Sequence, residues 1–195
     1  YDLTSLQRDA NRMLGFTADK TLKIAQSLYE THKALTYPRT DSRYLPPDMI
    51  PRVVQTMKLL PPPYQVYVPG ALRDGKLPVS RRTIDASKVT DHHAIIPTNK
   101  RVDPAKFSAD EQKLYDMVAR RMLAAFYPAC EYDATKIITR AEEYDFRSTG
   151  KVIVRNGWHD IPPLENPPRT RKKKDEEEEN GQLPLLKEGD SREVK

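Results

Sequence analysis

The spacing of apolar residues changes character about two-thirds of the way along this chain of 195 residues. Up to about residue 126, apolar side chains recur every three or four positions, which is typical of amphipathic helices. After about Ala129, short runs of alternating apolar and polar residues are typical of strands. Helices followed by strands predict an α+β fold, with a mainly helical domain first and a smaller β-rich region after it.

Four main helices are predicted, and each has a recognisable start. Gly15 is expected to end the first helix, because glycine accepts the left-handed conformation that closes many helices. A serine followed three residues later by a glutamate is a capping box, and Ser108 with Glu111 forms one. The predicted helices follow, in order, Ser5, Thr17, the Pro47–Asp48 pair and Ser108.

The strand-rich part is predicted to begin with three strands and to end as an incomplete sheet. Gly150 is expected to separate the second strand from the third, and Trp158 to anchor their apolar layer. The expected strands are Thr135–Arg140, Tyr144–Thr149 and Lys151–Val154. A basic block followed by an acidic block near residues 167–181 predicts a disordered, solvated loop. Residues 183–195 are expected to form a last strand pair that stops abruptly, so we expect a piece of a larger protein.

Composition excludes some classes of protein and permits others. The chain has no run of about 18 or more apolar residues, so no membrane span is expected. One cysteine, Cys130, cannot form an internal disulfide, which agrees with a reducing cytoplasm. The net charge of +5 permits nucleic-acid binding without requiring it.

The chemistry-bearing segment is residues 35–45, which contain Tyr37, Arg39 and Asp41. Pro38 disfavours a helical conformation for the residue before it, so Tyr37 is expected to be extended. Residues two apart in an extended chain point to the same side, so these three side chains are expected to share a face. A phenol is a poor nucleophile at neutral pH without help, and a neighbouring guanidinium is suited to holding a phosphate.

Structural alternatives remain open for this segment and for a later histidine pair. The motif is also compatible with a turn that carries one buried aromatic residue and a surface ion pair. Asp41 has two interpretations, one in which it orients Arg39 or DNA and one as a helix cap or Asx-turn residue. His92 is either functional or a structural histidine. The Asp91-His92-His93 triplet also matches a motif of manganese phosphoesterases, but those need further Asp and His clusters that are missing here.

Four sequence blocks in the same order resemble type IA DNA topoisomerases, and among them the bacterial topoisomerase III subfamily. They are residues 4–16, 18–30, 35–45 and 91–98, so the resemblance spans nearly the whole chain. The resemblance implies a winged-helix-like (CAP-like) tyrosine domain at residues 3–130, followed by part of a β-rich gate or hinge domain at residues 131–195. It also implies ATP-independent cleavage of single-stranded DNA, passage of another strand and religation.

The resemblance assigns roles to individual residues. Tyr37 is the nucleophile that forms a 5′-phosphotyrosine link, Arg39 stabilises the charged phosphoryl group, and His92 lies near the scissile phosphate. Four further residues are expected to contact DNA, namely Asp41, Arg43, Lys88 and His93.

The family's Mg²⁺ site lies in an N-terminal Toprim domain that does not precede Tyr1 here. We therefore expect no metal in this chain, an inactive isolated fragment, and two partners: single-stranded DNA and the Toprim domain of the same polypeptide. The expected location is the bacterial cytoplasm, in association with the nucleoid and not with a membrane. The alternative function is a winged-helix DNA-binding module without covalent chemistry.

Overall fold

The computed structural model describes residues 1–162, 183 and 189–191, and it confirms the α+β fold. Its α-helices are α1 (Leu3–Leu14), α2 (Ala18–Glu30), α3 (Ile50–Leu59), α4 (Pro62–Gln65), α5 (Val68–Ala71) and α6 (Ala109–Phe126). Its strands are β1 (Glu131–Ala141) and β2 (Tyr144–Arg155). Short 3₁₀ turns lie at Pro47–Met49, Ala86–Lys88, Pro104–Lys106 and Gly157–Asp160.

The first helix begins earlier than predicted. Asp2, not Ser5, is the N-cap of α1: its carboxylate accepts a 2.6 Å hydrogen bond from the Ser5 backbone N–H and a 2.8 Å bond from the Ser5 hydroxyl. The prediction was wrong because both residues are good caps, and a long-range contact selects between them. The N–H of Leu3 donates to the carbonyl of Thr40, which fixes the backbone before Ser5 is reached. Gly15 ends the helix with φ +70°, as predicted.

The other predicted helix starts are confirmed. Thr17 caps α2 by accepting a 3.1 Å bond from the N–H of Lys20. Ser108 and Glu111 form both halves of the capping box of α6. The third helix starts as a 3₁₀ turn at Pro47–Met49 and continues as α3 to Leu59, just before the proline tract. These features are local in sequence, which is why the sequence predicts them.

Helix α6 lies at the centre of the apolar core. Leu114, Ala119 and Leu123 on this helix have no exposed surface. Fully buried residues of the other helices join it in one cluster, namely Leu6, Ala10, Ala25, Leu28, Val53 and Met57. Each such burial contributes roughly 1–3 kcal/mol, so the helices form a stable base for the loops between them.

The sheet has two antiparallel strands in the described part of the chain, paired from Glu131↔Arg155 to Ala141↔Tyr144. The prediction of a break at Gly150 was wrong: β2 runs through this residue, which pairs with Thr135. A glycine in a strand weakens it, but eleven paired positions hold this one in place.

The chain divides into two compact units, with one boundary between Pro128 and Ala129. Residues 157–162 return to the helical unit, while Ala129–Asn156 form the second unit. Trp158 belongs to the first unit and not to the strand layer, contrary to the prediction. Its backbone N–H donates to the carbonyl of Pro128, the last residue of the first unit before the hairpin. The predicted charged loop at residues 167–181 and nearly all of the predicted last strand pair lie outside the described residues.

Candidate active site

The segment that carries Tyr37 bends at Pro38 and at Asp41, and its side chains alternate between the interior and solvent. Pro38, Thr40 and Ser42 are buried, whereas Arg39 and Asp41 are exposed. Tyr37 is half-buried. The alternation places Arg39 and Asp41 on the exposed side of the segment. The bends mean that it is not the straight extended run from which a face shared with Tyr37 was expected.

Residues 83–97, called the histidine segment below, hold residues 35–45, the tyrosine segment, in place through main-chain hydrogen bonds. The N–H of Thr36 donates to the carbonyl of Ile96 over 2.9 Å, and that of Leu45 donates to the carbonyl of Thr83 over 2.9 Å. Between these two ends, the N–H of Ala94 donates to the carbonyl of Tyr44 over 3.0 Å. Thr36 and Tyr44 therefore both bond within residues 94–96, so the tyrosine segment curves around this part of its partner and residues far apart in sequence come into contact.

Two aromatic side chains flank Tyr37. The His92 ring lies 4.4 Å from the Tyr37 ring, centroid to centroid, and is tilted by 49°. Tyr29, from the last turn of α2, approaches from 5.4 Å in an edge-on arrangement. These contacts restrict the rotamers of Tyr37 while its segment keeps it at the surface.

An open cleft of about 580 Å³ lies beside this aromatic group. It contains one guanidinium, from Arg39, and the imidazole of His92. Its lining residues are Leu3, Thr4, Arg39, Thr40, Asp41, Thr90, Asp91 and His92. The cleft thus joins the tyrosine segment, the histidine segment and the start of α1 around one cationic group.

Asp41 is bound by a residue that the sequence did not indicate. Its carboxylate accepts a 2.9 Å hydrogen bond from the hydroxyl of Thr90, in the histidine segment. The guanidinium of Arg39 makes no hydrogen bond or ion pair with any residue that the structure describes. Arg39 is therefore available to bind an anion in the cleft.

The remaining predicted DNA contacts lie outside the lining of this cleft. Arg43 is exposed, and its guanidinium lies 3.6 Å from the carboxylate of Asp2. The ammonium of Lys88 lies over the ring of Tyr44 at 4.6 Å, and hydrogen bonding to the Tyr44 hydroxyl raises the pKa of Lys88. His93 places Nδ1 2.8 Å from the carbonyl of Ala94. The structure brings together Arg39, Asp41 and His92 and leaves these three at the periphery.

Sequence reasoning missed two contributors to the site. Tyr29 lies in the last turn of α2, and its ring contacts the ring of Tyr37. The hydroxyl of Thr40 donates to the carbonyl of His92. The position of Tyr29 in the last turn could have indicated an aromatic residue near the motif, but nothing in the sequence indicated the partner of Thr40.

Within residues 1–162 and the few described beyond them, no group of three or more His, Cys, Asp or Glu side chains is placed to hold a metal ion. The Asp91-His92-His93 triplet does not converge, because His92 faces Tyr37 while His93 bonds to the neighbouring main chain. The described residues therefore do not fit a Mg²⁺ site. No helix among them is long and apolar enough to span a membrane.

A family model described as DNA topoisomerase matches residues 1–195. A DNA topoisomerase 3 from Bacillus licheniformis is 39% identical over 196 residues, covering 100% of this chain and 26% of the relative. The DNA topoisomerase 3 of Bacillus subtilis strain 168 is 39% identical over 98% of this chain and 26% of its own length. One from Bacillus cereus is 43% identical over 83% of this chain and 22% of its own length.

The fold has a solved counterpart in full-length topoisomerase I from Thermotoga maritima. The TM-score is 0.63 at 23% sequence identity, with 95% of this chain and 28% of that protein covered. The chain spans about a quarter of the length of the curated relatives that it matches. Because the family model matches the whole chain, this protein belongs to the DNA topoisomerase family, in its type IA branch, and its curated relatives are bacterial DNA topoisomerase 3 proteins.

Proposed function

We propose that this chain supplies the nucleophile of a type IA topoisomerase reaction, with Tyr37 forming a transient covalent bond to single-stranded DNA. The observation that carries the proposal is the contact of Tyr37 with His92 beside a cleft that contains the guanidinium of Arg39, which is unpaired among the described residues. A nucleophile, a polar ring and an anion-binding group are thus held together by two segments distant in sequence. A phosphodiester is the substrate class that needs all three.

In the proposed reaction, the phenolic oxygen of Tyr37 attacks the phosphorus of a DNA phosphodiester. The phenol gives up its proton as a bond forms between this oxygen and phosphorus, and the bond from phosphorus to the 3′-oxygen breaks. The 3′-oxygen takes up a proton and leaves as a hydroxyl, so one proton is lost and one is gained. Arg39 neutralises the charge on the phosphoryl oxygens as the bonds exchange. One phosphoester replaces another, so the 3′-hydroxyl reverses the reaction after strand passage without ATP.

The remaining predicted residues act as binding groups in this proposal. Arg43, Lys88 and His93 contact the strand outside the cleft, and Asp41 borders it. Contacts to phosphates position a strand without reading its sequence, which suits a reaction on many sites.

The helical unit, residues 1–128 with 157–162, forms the tyrosine domain of the proposed enzyme, and the hairpin unit, residues 129–156, forms part of its gate domain. Mg²⁺ and the Toprim domain of the longer polypeptide supply the rest of the catalytic site, and the enzyme works in the bacterial cytoplasm on nucleoid DNA. This chain by itself is expected to be inactive in cleavage.

A chimera tests the proposal. This chain replaces the matching quarter of Bacillus subtilis DNA topoisomerase 3, and the protein is mixed with Mg²⁺ and labelled single-stranded DNA before denaturation. We expect a covalent protein–DNA adduct that Tyr37→Phe abolishes. Tyr144→Phe, at an exposed position of the hairpin, is the matched control and should leave the adduct unchanged.

The alternative, a DNA-binding module without covalent chemistry, predicts a different result. In that case the chimera binds DNA but gives no adduct, whether it carries the parent sequence or the Tyr37→Phe substitution. An adduct that persists after Tyr37→Phe would reject Tyr37 as the nucleophile.

A further inference from the structure

Three side-chain hydroxyls fasten the tyrosine segment to the histidine segment. The hydroxyl of Thr36 donates to the carbonyl of Ala94 over 3.1 Å, that of Thr40 to the carbonyl of His92 over 2.8 Å, and that of Ser42 to the carbonyl of Lys88 over 2.8 Å. All three donors are at even-numbered positions, which alternate with Tyr37, Arg39 and Asp41 along the segment. The even-numbered side chains therefore hold the partner segment, while the side chains of Arg39 and Asp41 are exposed and left for the substrate.

Thr40 has the most connected position of the three. Its hydroxyl both donates to His92 and accepts a 3.1 Å bond from the N–H of Ser42, and its carbonyl accepts from the N–H of Leu3 over 2.9 Å. The residue is only 6% exposed. With both hydrogen-bonding functions of the hydroxyl in use and little space around it, Thr40 has one orientation.

His92 depends on this single link. In the part of the chain that the structure describes, the bond from Thr40 is the only hydrogen bond made to His92, whether to its ring or to its main chain. The ring itself contacts the ring of Tyr37 and not a hydrogen-bonding group. The distance between the two rings is therefore set by where the main chain of His92 is held.

We propose that Thr40 is a positioning residue for the cleavage reaction: its hydroxyl holds the main chain of His92 at the place where the imidazole contacts Tyr37. The inference rests on the proposed function for its catalytic consequence, but its structural part stands by itself. Thr40 does not touch the reacting atoms in this proposal, and it acts only through His92. Loss of its hydroxyl frees the main chain of His92 to shift away from the nucleophile, while the bonds at Lys88 and Ala94 still hold the rest of the histidine segment.

The test uses two substitutions at Thr40 and one control. Thr40→Val has nearly the same shape and no hydroxyl, whereas Thr40→Ser keeps the hydroxyl. Thr56→Val is the matched control, because Thr56 is 1% exposed and its hydroxyl has no hydrogen-bond partner among the described residues. The control removes a buried hydroxyl of the same kind without breaking a bond.

The first measurement is made on this chain, by nuclear Overhauser contacts between the ring protons of Tyr37 and His92. We expect these contacts in the parent chain, in Thr40→Ser and in Thr56→Val, and their loss or marked weakening in Thr40→Val. The second measurement is the single-turnover rate of adduct formation in the chimera at saturating DNA. Misplacing a catalytic group by about 1 Å costs on the order of 100-fold in rate, so Thr40→Val should slow cleavage by about that factor with little change in DNA affinity.

Several results would overturn the proposal. Unchanged ring contacts in a folded Thr40→Val chain would do so, as would a cleavage rate equal to that of Thr56→Val. A slow Thr40→Ser variant would point to the methyl group, and hence to packing, instead of the hydroxyl. If Thr40→Val does not fold, Thr40→Cys replaces it: a thiol is a weak donor, so an intermediate loss of ring contacts and rate is expected, and parent-like behaviour would reject the role.

The failure of this proposal is separable from failure of the proposed function. An adduct that requires Tyr37 together with a fully active Thr40→Val variant rejects only the positioning role. Absence of any adduct rejects the proposed function, while the ring contacts still report whether Thr40 holds His92.

Discussion

The burial pattern around Tyr37 is set by residues next to it in sequence, whereas its ring contacts His92, which is far from it in sequence. The segment bends at Pro38 and at Asp41, and burial alternates along it, so Arg39 and Asp41 face solvent. The ring contact with His92 has another origin, since it requires two segments to pair. Local structure therefore exposes the segment that carries Tyr37, the proposed nucleophile, and tertiary structure supplies its contact with His92.

Arg39 is expected to stabilise charge and not to hold the fold together. Its guanidinium is exposed and has no partner among the described residues. Arg39→Ala should therefore change the free energy of unfolding by no more than about 0.5 kcal/mol. In the chimera, the same change should reduce the rate of adduct formation by roughly 100-fold or more, as removal of other charge-stabilising donors does. The measurement is the single-turnover rate, with Arg52→Ala on α3 as a control for loss of an exposed arginine outside the cleft. Equal rates for the two variants would exclude the stabilising role.

The limits of sequence reasoning at this scale are physical. The exposure of Arg39 and Asp41 on either side of the buried Thr40 follows the two-residue spacing seen in the sequence, but the bends at Pro38 and Asp41 were not predicted. The bond from Thr90 to Asp41 joins residues 49 positions apart, and that from Thr40 to His92 joins residues 52 apart. Such pairs depend on how the segments pack. The sequence around a threonine does not indicate which distant residue its hydroxyl will bond to.

Among the helices, α2 and α6 are joined by a polar cluster around Glu111. Its carboxylate caps α6 through Ser108, accepts a 2.6 Å bond from the hydroxyl of Ser27 on α2, and lies 3.3 Å from the ring of His32. The cap was predictable because its residues are three apart. The link to α2 was not, because Ser27 and Glu111 are 84 positions apart.

The pH dependence of stability tests this cluster. Burial alone would raise the pKa of Glu111, but hydrogen bonds from Ser27 and Ser108 and the nearby His32 outweigh burial and lower it. A carboxylate with a lowered pKa in the folded state adds stability that is fully present above its ordinary pKa and is lost as pH falls through the folded value. Glu111→Gln should therefore destabilise the chain at neutral pH and make less difference in acid, below the folded pKa.

Urea unfolding at neutral pH and at an acid pH below the folded pKa of Glu111 measures the loss of stability caused by Glu111→Gln. Glu30→Gln is the control at an exposed site. The difference in the free energy of unfolding between the parent chain and Glu111→Gln should become smaller as the pH falls. A difference that stays constant would show that the charge of Glu111 does not contribute to stability.

The end of α1 offers a test of backbone conformation without packing. Gly15 has φ +70°, and a Cβ added there would meet no atom within 4 Å. Gly15→Ala should thus lower the free energy of unfolding by about 1 kcal/mol, from the left-handed conformation alone. Gly15→Asn should cost less, since asparagine tolerates this conformation. Thermal or urea unfolding of both variants measures these losses. Equal losses of unfolding free energy in Gly15→Ala and Gly15→Asn would indicate a cause other than backbone strain.

On the scale of the whole chain, the helical unit is interrupted by the β1–β2 hairpin and resumes after it. The change from helix to strand periodicity was visible in the sequence, but the return at residues 157–162 was not, because a few residues there show no periodicity. Ile161 is 6% exposed and joins the core of the helical unit, and the guanidinium of Arg120 donates to the carbonyl of Pro162. The segment after the hairpin is thus part of the fold that carries Tyr37.

This arrangement predicts that removing the hairpin is tolerated better than cutting the chain before it. The N–H of Trp158 donates to the carbonyl of Pro128 over 3.0 Å, so the two ends of the excursion are adjacent and a linker of about three residues can replace residues 130–156. That variant keeps Ile161 and should unfold at close to the parent's urea midpoint. Truncation after Cys130 removes Ile161 and should lose roughly 2–3 kcal/mol, the value of one buried aliphatic side chain.

Ile161→Ala in the linker variant is the matched control, because it removes the same packing without shortening the chain. It should reproduce most of the loss caused by truncation, within the usual spread for core substitutions to alanine. If the linker variant were as unstable as the truncated chain, the hairpin would be needed to fold the tyrosine-bearing unit. The division of the chain into a helical platform and an inserted strand pair would then not describe how it folds.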